Sequence, residues 1–163
     1  MRYTKLLVVL FGLAATLCAA DPFVGTWKMN LAKTKYKTGT APKEQTVTIS
    51  ETGSEMSIKV EGTASDGSKI LLSYTMPSAG GAGKIVESSS YDGISGKRMG
   101  PNERETTYLK GGKSVYTAHS KLSKAIIYLT YRQNKRILSS WTASKHSNKQ
   151  SSTSAISKTA KRS

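Results

Sequence analysis

Cysteine is nearly missing from this chain, with one in 163 residues. That one, Cys18, falls in an apolar leader, so the chain beyond it can form no internal disulfide, no cysteine nucleophile and no thiolate metal site. Large aromatics are also scarce, with 2 Trp and 2 Phe beside 8 Tyr. A core must therefore be assembled from single aliphatic positions, which suits a thin barrel or sandwich. Acidic residues are absent from the carboxy-terminal third: residues 106–163 carry 12 Lys and Arg and no Asp or Glu. The formal net charge of +15 is thus a nearly neutral body with a basic end, and the average hides the division. No apolar run reaches the ~20 residues that a helix needs to cross a bilayer.

What is present begins with a leader. Residues 1–20 hold Arg2 and Lys5 as a charged start, Leu6 to Leu17 as an apolar run, and Cys18-Ala19-Ala20 as small residues at a cut. They are expected to form a signal helix that is removed, leaving a mature chain that starts at Asp21 and is secreted or periplasmic. A lipid anchor on Cys18 is disfavoured by the bulky Leu17 before it.

From Phe23 to Met29 apolar and polar side chains alternate, as on a half-buried strand. Gly25 within it marks a bulge or the close approach of another group, with Trp27 placed to fold over the opening. Residues 30–43 read as a polar connection with one helical turn. Strand patterns follow: Val47 and Ile49; Met56, Ile58 and Val60; then Ile70, Leu72 and Tyr74, with turns at Gly53 and at Asp66-Gly67. Residues 77–83 read as a glycine-rich loop whose following Lys84 lacks the Ser or Thr and the helix of a nucleotide motif, and residues 84–90 read as a weaker strand. Residues 91–102 read as a turn-rich crossing, and two arms flank Gly111-Gly112, with either face of each arm open as the inner one. The last confident strand is 125–132. Seven or eight short strands at this spacing predict an all-β, antiparallel up-and-down barrel or partial barrel over residues 21–132, followed by a disordered basic tail over 133–163.

The stretch Phe23-Val24-Gly25-Thr26-Trp27-Lys28-Met29-Asn30, with Lys33-Thr34-Lys35-Tyr36, Pro42-Lys43 and a train of hairpins, resembles the small secreted lipocalin-like, calycin-type proteins of bacterial envelopes. The resemblance covers about residues 21–123. It implies a barrel closed at one end by Gly25 and Trp27, a cavity for a small apolar molecule, and a late-strand arginine laid across the tryptophan. Arg132 and Arg136 are the candidates for that arginine. The expected closing strand fails past Lys124, where acids vanish and alternation fades; a shifted reading frame at this end is one hypothesis that accounts for both.

Chemistry for catalysis is thin. His119 and His146 lack metal-ligand spacing, and Glu103 with Glu105 reads as a wet rim beside Arg104 rather than an acid and base pair. Neither an enzyme activity, a cofactor, a metal nor a specific nucleic acid is expected. The expected function is binding of a small apolar or amphipathic molecule in a cavity lined by Val47, Ile49, Met56, Ile58, Val60, Ile70, Leu72 and Tyr74. The same residues would form a plain core if the barrel is filled. The alternative is an envelope protein that docks on anionic surfaces through Lys135, Arg136, Lys145, Lys149, Lys158, Lys161 and Arg162.

Overall fold

The computed structural model describes residues 20–37, 39–133 and 136–145. The leader, Lys135 and everything from His146 onward, including Lys149, Lys158, Lys161 and Arg162, lie outside the described residues.

Ten antiparallel strands close into one barrel. They are β1 Gly25–Tyr36, β2 Glu44–Thr52, β3 Glu55–Thr63, β4 Lys69–Pro77, β5 Gly80–Ser88, β6 Gly93–Gly100, β7 Glu103–Lys110, β8 Lys113–Ser123, β9 Ile126–Gln133 and β10 Arg136–Lys145. Each strand pairs with its sequence neighbour, and β10 returns to β1. Alternation drives this plainly in β3, where Met56, Ile58 and Val60 are buried and Glu55, Ser57, Lys59 and Glu61 are exposed. A one-residue slip would turn that apolar set to water, so register is strongly specified.

Three expectations need correction. The first concerns closure: the residues expected to begin a disordered tail include a strand, β10, with Trp27 opposite Lys145 and Met29 opposite Ala143. The closing strand therefore exists in the sequence as it stands, which removes the fading strand pattern as a motive for a shifted frame and leaves only the absence of acids. It was hidden because β10 is rich in Ser and Thr and carries a register shift between Ile137 and Ser139, which breaks the simple period of two.

The second concerns length. β1 runs on to Tyr36 through the first half of the segment expected to be a polar surface connection. A register shift between Asn30 and Lys35 interrupts its pairing to β10. There Asn30 Oδ1 accepts the Lys33 N–H at 3.2 Å, and the Asn30 carbonyl accepts the Thr34 hydroxyl at 2.7 Å. Local side-chain bonding of this kind mimics a turn without ending the strand.

The third concerns the glycine-rich segments read as a loop and a crossing. They are β5 and β6, with Gly81 opposite Gly96 and Gly83 opposite Ile94. A Cβ on Gly83 would lie 2.6 Å from the Thr75 carbonyl oxygen and 2.7 Å from Ile94. Glycine here is a packing requirement, and its lack of side-chain pattern hid β6 and the first half of β5, whose second half from Lys84 was expected as a strand.

Closure has an electrostatic consequence. Residues 22–43 and 106–145 contain no Asp or Glu, and the β1 to β10 seam joins these two distant stretches. The wall formed by β8, β9, β10 and β1 is therefore free of acids, with Lys28, Lys33, Lys35, Lys121 and Arg132 exposed on it. Apart from Asp21, the acids belong to β2 through β7 and their turns.

Candidate ligand cavity

The two ends of the barrel differ. One is capped by residues 21–24, which turn on a Val24 N–H to Asp21 carbonyl bond and lead into β1. Trp27, 1% exposed, lies inside this end with Phe23, Met56 and Met76. Its indole Nε1–H donates to the Phe23 carbonyl at 2.8 Å, so the polar edge of a buried ring is satisfied. Below the rings, the Asp21 carboxylate takes Arg98 and also Arg104, the latter at 2.6 Å. Burial would raise the Asp21 carboxyl, but hydrogen bonds from Arg98, the Phe23 N–H and Arg104 outweigh it and hold it below the usual carboxylate range. Arg104 also donates to the Ser78 carbonyl at 2.9 Å and lies 5.5 Å from the Phe23 ring centre.

The sequence reading placed an opening at Gly25 for Trp27 to cover. What occupies it is Lys145, whose Cε would be 2.6 Å from a Cβ at Gly25. Its ammonium sits 5.7 Å from the centre of the Trp27 ring. Lys145 is thus the late-strand cation set against the tryptophan. Arg132 is an exposed residue of β9, and Arg136 is placed at the far end of β10, opposite Gln133.

Above this floor is a small internal cavity of about 70 Å³. Val47, Ile49, Met56, Ile58, Val60 and Tyr74 line it, joined from β7 to β9 by Arg104, Thr106, Tyr108, Ala118, Ser120, Ile127 and Leu129. Of the sequence candidates, Ile70 and Leu72 sit higher, with Val60, in a wider cavity of about 530 Å³ that opens at the other end. Val60, Tyr108 and Tyr131 line both spaces. Arg104 Nε is buried without an acceptor, a costly state for a charged donor unless something polar reaches it.

Between floor and mouth lies a group of tyrosines of which the sequence reading named only Tyr74 for the cavity. Tyr108 and Tyr116 face each other across β7 and β8 with ring centres 4.5 Å apart. Tyr91 contacts both, at 5.2 and 5.6 Å, Tyr131 packs on Tyr116 at 5.3 Å, and Tyr74 meets Tyr108 edge-on at 6.4 Å. Burial pushes Tyr74 up to about 12 and raises Tyr108 and Tyr116 further, so all three stay neutral hydroxyls at physiological pH. A signal for this cluster was available: choosing Thr106 and Tyr108 as the inner face of one arm forces Tyr116 and Ala118 inward on the other.

The other polar candidates do not converge on the cavity. His119 Nε2 lies 3.1 Å from Glu103 Oε1, and the pair joins the barrel wall where the acid-free sector ends. Among the described residues no group of three His, Cys, Asp or Glu could hold a metal ion.

No protein-family model matches the chain, and no curated protein matches it. Solved structures do. The wild-type fluorescent protein UnaG is similar with a TM-score of 0.56 and 18% identity, over 76% of this chain and 97% of that one. A Schistosoma mansoni fatty acid binding protein in complex with arachidonic acid is similar with a TM-score of 0.56 and 12% identity, over 77% and 96%. Sequence identity this low speaks to architecture alone, here a closed ten-stranded antiparallel barrel.

Proposed function

We propose that the barrel binds a small apolar or amphipathic molecule of the fatty-acid kind, as an exported carrier and not an enzyme. The observation that carries this reading is the unfilled interior: a mouth of about 530 Å³ leads past the tyrosines to an apolar floor. That volume lies within the ~300 to 1,000 Å³ usual for small-molecule sites, and its serine- and tyrosine-rich lining suits an amphipathic ligand whose apolar part lies toward Val60, Ile70 and Leu72. The apolar part of the ligand would pack on Val47, Ile49, Met56, Ile58, Val60, Ile70, Leu72 and Tyr74. Tyrosine hydroxyls and the unsatisfied Arg104 Nε offer the polar contacts. The arachidonic acid in the similar Schistosoma mansoni barrel supports the same chemical class, and the leader supports export.

The test is titration of the purified protein with an environment-sensitive apolar dye, followed by displacement with arachidonate. Saturable one-to-one binding that arachidonate reverses, and that Leu72→Arg weakens at least tenfold, is expected. A dye signal that never saturates, or that Leu72→Arg leaves unchanged, overturns the reading.

A second reading is docking on an anionic envelope surface. The basic tail suggested it from sequence, and the acid-free wall of β8, β9, β10 and β1 supports it better, because Leu31 and Tyr128 stand exposed among its lysines. Apolar side chains beside cations suit a lipid surface more than a soluble polyanion. Vesicles with and without anionic lipid test it: binding should need anionic lipid, fall with salt and drop on Lys28→Glu with Lys121→Glu. Equal binding to neutral vesicles would count against it.

A further inference from the structure

Asp21 is engaged by the barrel at every polar group. Its carboxylate is 4% exposed between Arg98 and Arg104. Oδ1 accepts the Phe23 N–H at 2.9 Å, and its carbonyl accepts the Val24 N–H at 2.9 Å. Its own nitrogen donates to Glu51 Oε2 at 3.1 Å. Glu51 does not reach there loosely, since its other oxygen accepts the Ser78 hydroxyl at 2.5 Å. One residue earlier the engagement stops, and Ala20 is exposed.

The Glu51 carboxylate, fixed in this way, is a better partner for an ammonium than for an amide, because a full positive charge 3.1 Å away adds direct Coulomb attraction to the hydrogen bond. In the sequence, the small-residue end of the leader, Cys18-Ala19-Ala20, stops directly before that nitrogen. We infer that the Ala20–Asp21 bond is a processing site, and that the α-ammonium released on Asp21 is a structural cation of the closed end, held by Glu51. The cut is a hydrolysis by an endopeptidase of the export route. Water adds across the amide, hydroxyl to the Ala20 carbonyl carbon and hydrogen to the Asp21 nitrogen, which takes a further proton from solvent near neutral pH.

The new charge is placed among four others: Glu51 on β2, its own residue's carboxylate, Arg98 on β6 and Arg104 on β7. Both guanidinium groups are committed to the Asp21 carboxylate, so Glu51 is the group with a free demand for a cation. Held against it, the ammonium should titrate above the ~7.7 to 8.0 of an unperturbed α-amine. A raised value contributes stability that is fully present below the unfolded value and is lost as pH rises through the folded one. Processing would then complete the floor of the cavity as well as release the chain. The inference does not depend on what the cavity holds.

The experiment has two arms. The first is the amino-terminal sequence of protein recovered after export; it should begin at Asp21, and a start elsewhere, including a lipid-modified Cys18, overturns the inference. The second measures the cost of Glu51→Gln by urea unfolding in both the unprocessed full chain and the processed protein, at pH 6.5 and pH 10. The processed form should lose roughly tenfold in its folding equilibrium constant at pH 6.5, the equivalent of about one pKa unit. The unprocessed form should lose clearly less, and the excess should vanish at pH 10. Equal costs in both forms at both pH values would overturn it. If Glu51→Gln does not fold, nitrogen-15 titration of the α-amine in the unaltered processed protein decides, and a value at or below the unperturbed range refutes the pairing.

Discussion

The closed and open ends of this barrel are made of different materials. At the closed end a ring of charge holds two large aromatic side chains: Asp21, Arg98 and Arg104 lie under Phe23 and Trp27 with little room left. At the open end, tyrosines stand around a cavity of about 530 Å³ behind serine-rich turns. The difference separates two duties. Closed-end residues should set stability, and open-end residues should set what the interior admits.

The largest effect should follow Trp27→Ala. Removing a buried indole costs roughly 3 to 5 kcal/mol as lost transfer energy plus an unfilled cavity. Here it would also orphan the Phe23 carbonyl that accepts the indole N–H. Urea unfolding is expected to show a loss in that range. By contrast Tyr91→Ala, a half-buried residue at the mouth that packs on Tyr108 and Tyr116, should cost roughly 1 to 2 kcal/mol while changing dye affinity. If the two variants lose the same stability, the division between the ends is wrong.

Asp21→Asn should come next. It removes the one carboxylate that two guanidinium groups share and leaves Arg104 buried and unpaired, a situation that costs about 3 kcal/mol or more. The pH dependence has a definite sign. The Asp21 carboxyl is held below the ordinary 3.8 in the folded state. Its contribution is therefore present above the unfolded value and is lost as pH falls through the folded one. Urea midpoints measured between pH 7 and pH 2 should fall more steeply for the unaltered protein than for Asp21→Asn.

How much of this was legible beforehand divides along the same line. The hairpins of β2, β3 and β4 could be read from the sequence because one face of each is apolar and the turns carry glycine. The tryptophan at the closed end was legible for a related reason: Gly25-Thr26-Trp27 is an apolar alternation with a gap in it. The cap itself was not. Asp21 meets Arg98 and Arg104 across 77 and 83 residues of chain, and no local pattern encodes such a meeting. β6 and the first half of β5 escaped because their glycines answer to close backbone packing, which leaves no periodic side chain to count. β10 escaped because Ser and Thr pair well in a ladder yet say nothing about which face is wet. Once the ladder closes, Arg104, Thr106 and Tyr108 must all point inward, and the polar side of the cavity follows from topology that sequence spacing alone did not fix.

A third test acts mainly on the open half. Tyr74 is pushed up to about 12, mostly by burial, against an ordinary 10.0. A raised acid value means that the folded state prefers the neutral hydroxyl. Stability should be flat through neutral pH and begin to fall as pH passes about 10, where the unfolded chain ionises first. A shift of about two units corresponds to roughly 2 to 3 kcal/mol once both states would otherwise be ionised. Tyrosinate absorbance near 295 nm should lag behind that of free tyrosine and then rise together with unfolding. Tyrosines that all ionise near 10 in the folded protein would show the cluster to be wet, and would weaken the case for a dry interior.

The smallest effect concerns Lys145, and it distinguishes two jobs that one side chain performs. Its stem fills the space above Gly25, with Cε where a Cβ would collide, while its ammonium lies 5.7 Å from the Trp27 ring centre. Lys145→Met keeps an unbranched apolar stem of similar reach and deletes the charge. An exposed cation over an aromatic ring is worth about 0.5 to 1 kcal/mol, so that is the loss expected from the methionine variant. Lys145→Ala removes the stem too and uncovers the bare backbone at Gly25, so it should cost more. Should the two variants cost the same, the charge over the ring is what matters. Should methionine cost nothing and alanine cost about 1 kcal/mol, the lysine acts as a greasy lid on the glycine gap. In that case the late-strand cation at Trp27 is there for its carbon chain, and closure of this end rests on Asp21 and its two arginines alone.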